Sequence, residues 1–149
     1  MSGFRGERAV RSHAFDLPMP CAQAFPLFTP EGERTWAPGW DPKYVYPADG
    51  AVQKGMVFVT DADAEETLWL VLRHEPHVGA VEYARITPGN RMAIVRVRCE
   101  AIGSGATRVT VSYEYTGLSE AGNAYVQSMD EASYRAFIDS WGEAIRQAP

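Results

Sequence analysis

Between Lys43 and Thr116 the sequence reads as a succession of short strands, and only one long amphipathic helix, at the carboxyl end, is available to cover them. The strand segments are Tyr44 to Tyr46, Val57 to Thr60, Thr67 to Arg73, Ala80 to Thr87, Met92 to Ala101 and Thr107 to Thr116. Asp49-Gly50, Lys54-Gly55, Glu75-Pro76, Pro88-Gly89-Asn90 and Gly103-Ser104-Gly105 separate them and supply turn chemistry. Short connections join antiparallel neighbours, because a parallel crossover needs a much longer link. In the last segment Val109, Val111, Tyr113 and Tyr115 alternate with Arg108, Thr110, Ser112 and Glu114. In the one before it Ala93, Val95, Val97 and Cys99 oppose Arg96, Arg98 and Glu100. Such alternation marks a sheet with one buried and one wet face.

The flanks of this meander are helical, apart from a first strand at Glu7 to Leu17 that Pro18 and Pro20 end. Cys21 to Phe28 reads as a short helix with Ala24, Phe25 and Phe28 on one side. Pro26 inside it removes a backbone donor and keeps it very short or kinked. Thr29-Pro30-Glu31 starts a second helix, with Thr29 as cap, and Pro38-Gly39 stops it. Ser119 caps the final helical region. From Asp130 onward Tyr134, Phe137, Trp141 and Ile145 recur at spacings of three and four, a stripe expected to meet the sheet. Asp130 is itself a cap candidate, so the region reads equally as one long helix or two. The order is α+β: one domain over residues 1–149, a curved antiparallel sheet of six to seven strands around a C-terminal helix.

Composition narrows the function classes. Hydrophobic residues make up 46% and charged residues 22%, ordinary for a chain that buries a core. The net charge of −5, with no run of Lys or Arg, disfavours nucleic acid and anionic membrane surfaces. No stretch approaches the length of a membrane span. The amino-terminal MSGFRGERAVR lacks the apolar region of a secretory signal, so a cytoplasmic location is the expectation. Cys21 and Cys99 stand in no metal or redox spacing and read as small buried thiols.

Phe25-Pro26-Leu27-Phe28-Thr29-Pro30-Glu31-Gly32-Glu33-Arg34, Trp36-Ala37-Pro38-Gly39-Trp40-Asp41-Pro42, the Gly105 to Leu118 strand and the Ser119-Glu120-Ala121-Gly122-Asn123 helix start carry a family likeness. With them the chain resembles the START-like, or SRPBCC, superfamily, which includes polyketide cyclase/dehydrase and lipid-transport proteins and the birch-pollen-allergen group. It is similar to a bacterial branch with no chemistry to carry over. The resemblance covers nearly the whole chain by element order, and the tryptophan segment is its most specific part. It implies a helix-grip fold with an elongated cavity between sheet and helix. It implies no reaction, since the superfamily holds both carriers and enzymes. Pro26 departs from its better-known members and points to a different cavity mouth.

The candidate lining of such a cavity is aromatic: Trp36, Trp40, Phe58, Trp69, Tyr83, Tyr113, Tyr115 and Trp141. Each has a plainer reading as core, and Trp36 and Trp40 as a plug that holds the short helices to the sheet. The faces of Trp69, Tyr83 and Arg85 stay open, because both sides of those strands carry apolar groups. An inward Arg85, Arg96 or Arg98 would call for an acidic ligand group, although parity turns Arg96 and Arg98 outward. His74-Glu75-Pro76-His77 lacks a third ligand and reads as a solvated turn. His13, alone on the first strand, reads as structural. The acidic run Asp61 to Glu66 reads as a hairpin tip, and Glu31, Glu33 and Arg34 as a surface ion-pair face.

The expected function is binding of a small hydrophobic or aromatic, lipid- or polyketide-like molecule in an internal cavity, as carrier or sensor, with no cofactor and no metal. The alternatives are a cyclase-, dehydratase- or hydrolase-like enzyme using the same cavity, and a co-chaperone-like interaction domain. Titratable groups converging on the cavity wall would favour the enzyme. Ligand identity and oligomeric state are not legible.

Overall fold

Seven strands form one antiparallel sheet in the order β1-β7-β6-β5-β4-β3-β2, in a computed structural model that describes residues 3–149. The first two residues of the amino-terminal segment considered above lie outside that range. The strands are β1 (Arg8–Leu17), β2 (Lys43–Tyr46), β3 (Val57–Thr60), β4 (Thr67–Glu75), β5 (Ala80–Thr87), β6 (Arg91–Ala101) and β7 (Thr107–Gly117). Each sits where the turn residues bracket it, with shifts of a few residues at the ends. Pairing β1 with β7 returns the amino-terminal strand to the sheet beside the last one, Phe15 opposite Val109 and Arg11 opposite Tyr113.

Register sets up the interior in rows. Tyr115, Ala93, Arg85, Trp69, Phe58 and Tyr44 follow one another across β7, β6, β5, β4, β3 and β2. Tyr113, Val95, Tyr83 and Val71 form the next row. Side chains two apart share a face of a strand, so both rows look into the same space. The opposite face carries two textures. Arg8, Glu114, Arg96, Glu82 and Arg73 form a ladder of ion pairs 2.7–3.6 Å long, which places Arg96 outside as parity requires. Leu68, Leu70 and Met92 stand exposed at the other end of that face.

The first helix of the sequence reading is a single α turn, α1 (Cys21–Ala24), continued by a 3-10 turn over Phe25–Phe28, as Pro26 demands. A second 3-10 turn covers Gly32–Thr35. Thr29 Oγ1 accepts from the Gly32 amide at 3.1 Å and donates to the Pro26 carbonyl at 2.7 Å, so it joins the two turns. Gly32 is needed there, because a Cβ at that position would lie 1.8 Å from the Pro26 carbonyl oxygen.

The carboxyl region is two helices, α2 (Glu120–Ser128) and α3 (Glu131–Gln147), which resolves the alternative left open above. Both expected caps are made, Ser119 accepting from the Gly122 amide and Asp130 from the Ser133 amide. On α3 the side chains buried against the sheet are Tyr134, Ile138 and Ile145, with Gly142 letting the helix approach Phe15. Tyr134 donates to the Val111 carbonyl at 2.7 Å. The expected stripe is thus rotated. Phe137 and Trp141 are only half-buried, because the sheet does not close beneath them. No helix among the described residues is long and apolar enough to cross a membrane.

Candidate functional site

The opening under Phe137 and Trp141 is a cavity of about 590 Å3, inside the range of about 300–1,000 Å3 common for small-molecule sites. Its wall takes Phe137, Ser140, Trp141 and Ala144 from α3, and Trp69, Tyr83, Val95 and Tyr113 from the sheet. The turn and loop after α1 add Glu33, Trp36, Ala37, Pro38 and Trp40. All four tryptophans of the chain border it.

Both proposed roles of the Trp36 to Trp40 segment are combined. The Trp36 indole N–H donates to the Leu27 carbonyl at 2.7 Å and that of Trp40 to the Pro30 carbonyl at 2.8 Å. The polar edges therefore fasten the loop to the short turns, and the rings remain to form wall. Trp36 lies 5.6 Å from the Trp141 ring and Trp40 lies 5.5 Å from that of Trp69, edge to face. Tyr83 donates to the Phe28 carbonyl at 2.5 Å, tying β5 to the same turns.

Six of the eight aromatics named from the sequence line the cavity: Trp36, Trp40, Trp69, Tyr83, Tyr113 and Trp141. Phe58 and Tyr115 do not. Phe58 is fully buried behind Trp69, the rings stacked at 5.5 Å and 6°. Tyr115 is stacked on Tyr113 at 5.1 Å and faces Tyr125 at 6.2 Å, so Tyr113 takes the place at the wall. The Tyr115 hydroxyl is buried with no hydrogen-bond partner among the described residues.

Among the described residues five charged ones also border the cavity, Arg85 and Glu33 beside the aromatic wall and Arg91, Glu65 and Asp63 beyond them. Arg85, undecided by parity, points inward in the row of Trp69, its guanidinium 4.8 Å from the indole centroid. Glu33, expected on the surface, borders the cavity instead. Its neighbours keep the expected roles: Arg34 pairs with Glu31 at 3.1 Å and with Asp41 at 2.9 Å. Burial pushes the Glu33 carboxyl up to about 8, and the Arg85 charge works against that rise. Burial also pushes the Tyr113 hydroxyl up to about 12, again opposed by Arg85.

A second cation is already matched. Arg91, nearly buried, takes Glu65 with two contacts of 2.8 and 3.2 Å and lies 3.6 Å over the Tyr125 ring. The acidic run is the tip of the β3–β4 hairpin, as expected, and from that tip Glu65 and Asp63 also border the cavity. Asp63 and Ala64 in this loop both have positive φ, 56° and 61°, a strained conformation for residues with a Cβ.

The remaining candidates lie elsewhere. His13 bonds Asp139 at 2.8 Å and links β1 to α3. His74 packs beside Phe25, and burial lowers its pKa. The buried Cys99 thiol is pushed up to about 12.

A seven-stranded curved sheet gripping a C-terminal helix, with an open interior between them, is the helix-grip fold of START-like proteins. Norcoclaurine synthase from Thalictrum flavum shares it at TM-score 0.70 and 12% identity, over 100% of both chains. Ginseng major latex-like protein 151 from Panax ginseng shares it at TM-score 0.70 and 17% identity, over 95% of this chain and 99% of that one. An uncharacterised protein from Rhizobium leguminosarum does so at TM-score 0.69 and 16% identity, over 95% and 97%. At these identities the likeness shows the fold alone. No protein-family model matches the chain, and no curated protein sequence matches it.

Proposed function

We propose that the protein is a START-like carrier or sensor that binds one small, largely aromatic or apolar molecule in the cavity between the sheet and α3. The observation that carries this reading is the use of all four tryptophans as cavity wall. Large aromatics lose most of their favourable burial when left facing water, at about 25 cal/mol per Å2, so a wall built of them favours an apolar occupant. Norcoclaurine synthase of the same fold has been determined in complex with dopamine and hydroxybenzaldehyde, small aromatic compounds. That supports the size and chemistry of the occupant. The open interior removes the support that a filled core would have given to an interaction domain. Native mass spectrometry of the purified protein tests the proposal, with an adduct of small-molecule mass expected on the 16.5 kDa chain. Bare chain in that experiment, together with no saturable uptake from a panel of apolar compounds, would refute it.

An enzyme working in the same cavity is the second reading, and Glu33 beside Arg85 and Tyr113 favours it. A carboxyl with a pKa of about 8 can take and return a proton near neutral pH. This reading predicts that an enclosed aryl ketone exchanges its α-protons in deuterated buffer with the wild type and not with Glu33→Gln.

A further inference from the structure

Arg85 is the one feature of the wall that an apolar occupant leaves unexplained. Among the described residues no carboxylate oxygen lies within 4.0 Å of its guanidinium, whereas Arg91, the other cation of the wall, is matched by Glu65. A guanidinium facing an aromatic interior calls for an anion or a carbonyl to complete its hydrogen bonds. Its position is prepared. Arg85 stands directly across from Trp69 in register, and the indole face supports the cation. Tyr113, also on the wall, lies close enough for the Arg85 charge to act on its hydroxyl.

Resting on the cavity-binding reading above, we infer that the occupant is an aromatic acid whose carboxylate is received by Arg85 with Tyr113, its ring body lying among Trp40, Trp69 and Trp141. A carboxylate fits the planar fork of a guanidinium, with a phenol hydroxyl as a further donor. Glu33 supports this choice, because near neutral pH it is held mostly protonated and can donate rather than repel. The other charged groups facing Glu33 leave the balance intact. On β5 these are Arg85 and the un-ionised Tyr83, whose hydroxyl is engaged by Phe28. On β7 it is Tyr113; elsewhere on the wall Arg91 of β6 is paired with Glu65 from the loop before β4, a carboxyl that the Arg91 contact and the Arg85 charge both lower. Asp63 borders the cavity but is exposed. On Glu33's own turn, Arg34 is held by Glu31 and Asp41. The α3 wall brings no charge. Below about pH 8 Arg85 is therefore the cation of the wall that no carboxylate contacts, and Glu33 adds a competing negative charge beside it as it ionises.

Matched probes test this: 2-naphthylacetic acid against 2-naphthylacetamide, titrated by tryptophan fluorescence at pH 6.5 and pH 9. The wild type should prefer the acid by about tenfold or more at the lower pH, the usual worth of a hydrogen bond to a charged group. The preference should shrink at the higher pH. Glu33→Gln should remove that pH dependence, Arg85→Gln should abolish the preference, and Arg85→Lys should keep part of it. Circular dichroism and melting of each variant confirm folding. Equal affinities for acid and amide in the wild type, or a preference that survives in folded Arg85→Gln, would overturn the assignment while leaving apolar binding in place. Failure of both probes and of every neutral apolar compound would instead remove the cavity-binding reading, and this inference with it.

Discussion

Trp69 on β4 and Arg85 on β5 face each other in register, the guanidinium 4.8 Å from the indole centroid, and between them they join the apolar and the charged parts of one wall. Trp69 is also stacked on Phe58, capped edge-on by Trp40, and bonded through its indole N–H to Thr60 Oγ1 at 3.0 Å. Trp69→Ala should therefore cost about 3–5 kcal/mol, the range for a large buried aromatic. A denaturant melt reads this directly.

Trp141 should behave differently. It is half-buried at the cavity rim, so Trp141→Ala leaves less lost packing, about 1–3 kcal/mol. The same variant should weaken probe binding. A melt and a fluorescence titration on one sample separate the two effects.

Glu33 makes stability depend on pH with a defined sign. Its folded pKa of about 8 stands above the ordinary carboxylate value of 4.5. Below the lower value both states hold the proton and no penalty arises. Between the two values the unfolded chain has released the proton that the folded protein keeps, so stability falls as pH rises, by up to about 1.4 kcal/mol per pH unit. Glu33→Gln should accordingly raise the melting temperature at pH 8 more than at pH 5. Melting curves across this interval check it.

Gly32 precedes Glu33 and sets its approach. Gly32→Ala drives a methyl into the Pro26 carbonyl, backbone against backbone. The variant should lose several kcal/mol, at the severe end of single substitutions. Thermal melting gives the loss, and Tyr83→Phe offers a milder control at about 1–2 kcal/mol for the bond to Phe28.

The sheet was readable because turn residues and strict alternation bracket β6 and β7, and the two helix caps because Ser119 and Asp130 stand just before helical periods. The site was only half readable. Arg85 shares β5 with Ala84 and Ile86, whose apolar side chains lie on the outer face beside Leu68, Leu70 and Met92, and that outer apolar area erases the alternation. Glu33 lies in a 3-10 turn of four residues, too short for any period to say which side faces in. Phe58 and Tyr115 share the inward parity of the wall residues. Only the three-dimensional stacking on Trp69 and Tyr113 shows that they stand behind it. Phe137 was expected in the core stripe, and the one sign of its exposure is its place at the edge of the Tyr134, Ile138 and Ile145 row.

Binding of a neutral apolar probe reads occupancy of the cavity itself, since every tryptophan of the chain borders it. In a titration with N-phenyl-1-naphthylamine, energy transfer from tryptophan should saturate at one probe per chain, and Trp40→Ala and Trp141→Ala should each weaken the affinity. No saturable transfer in the wild type, or an affinity unchanged in both folded variants, would mean that the tryptophan-walled cavity is not a binding site for apolar molecules.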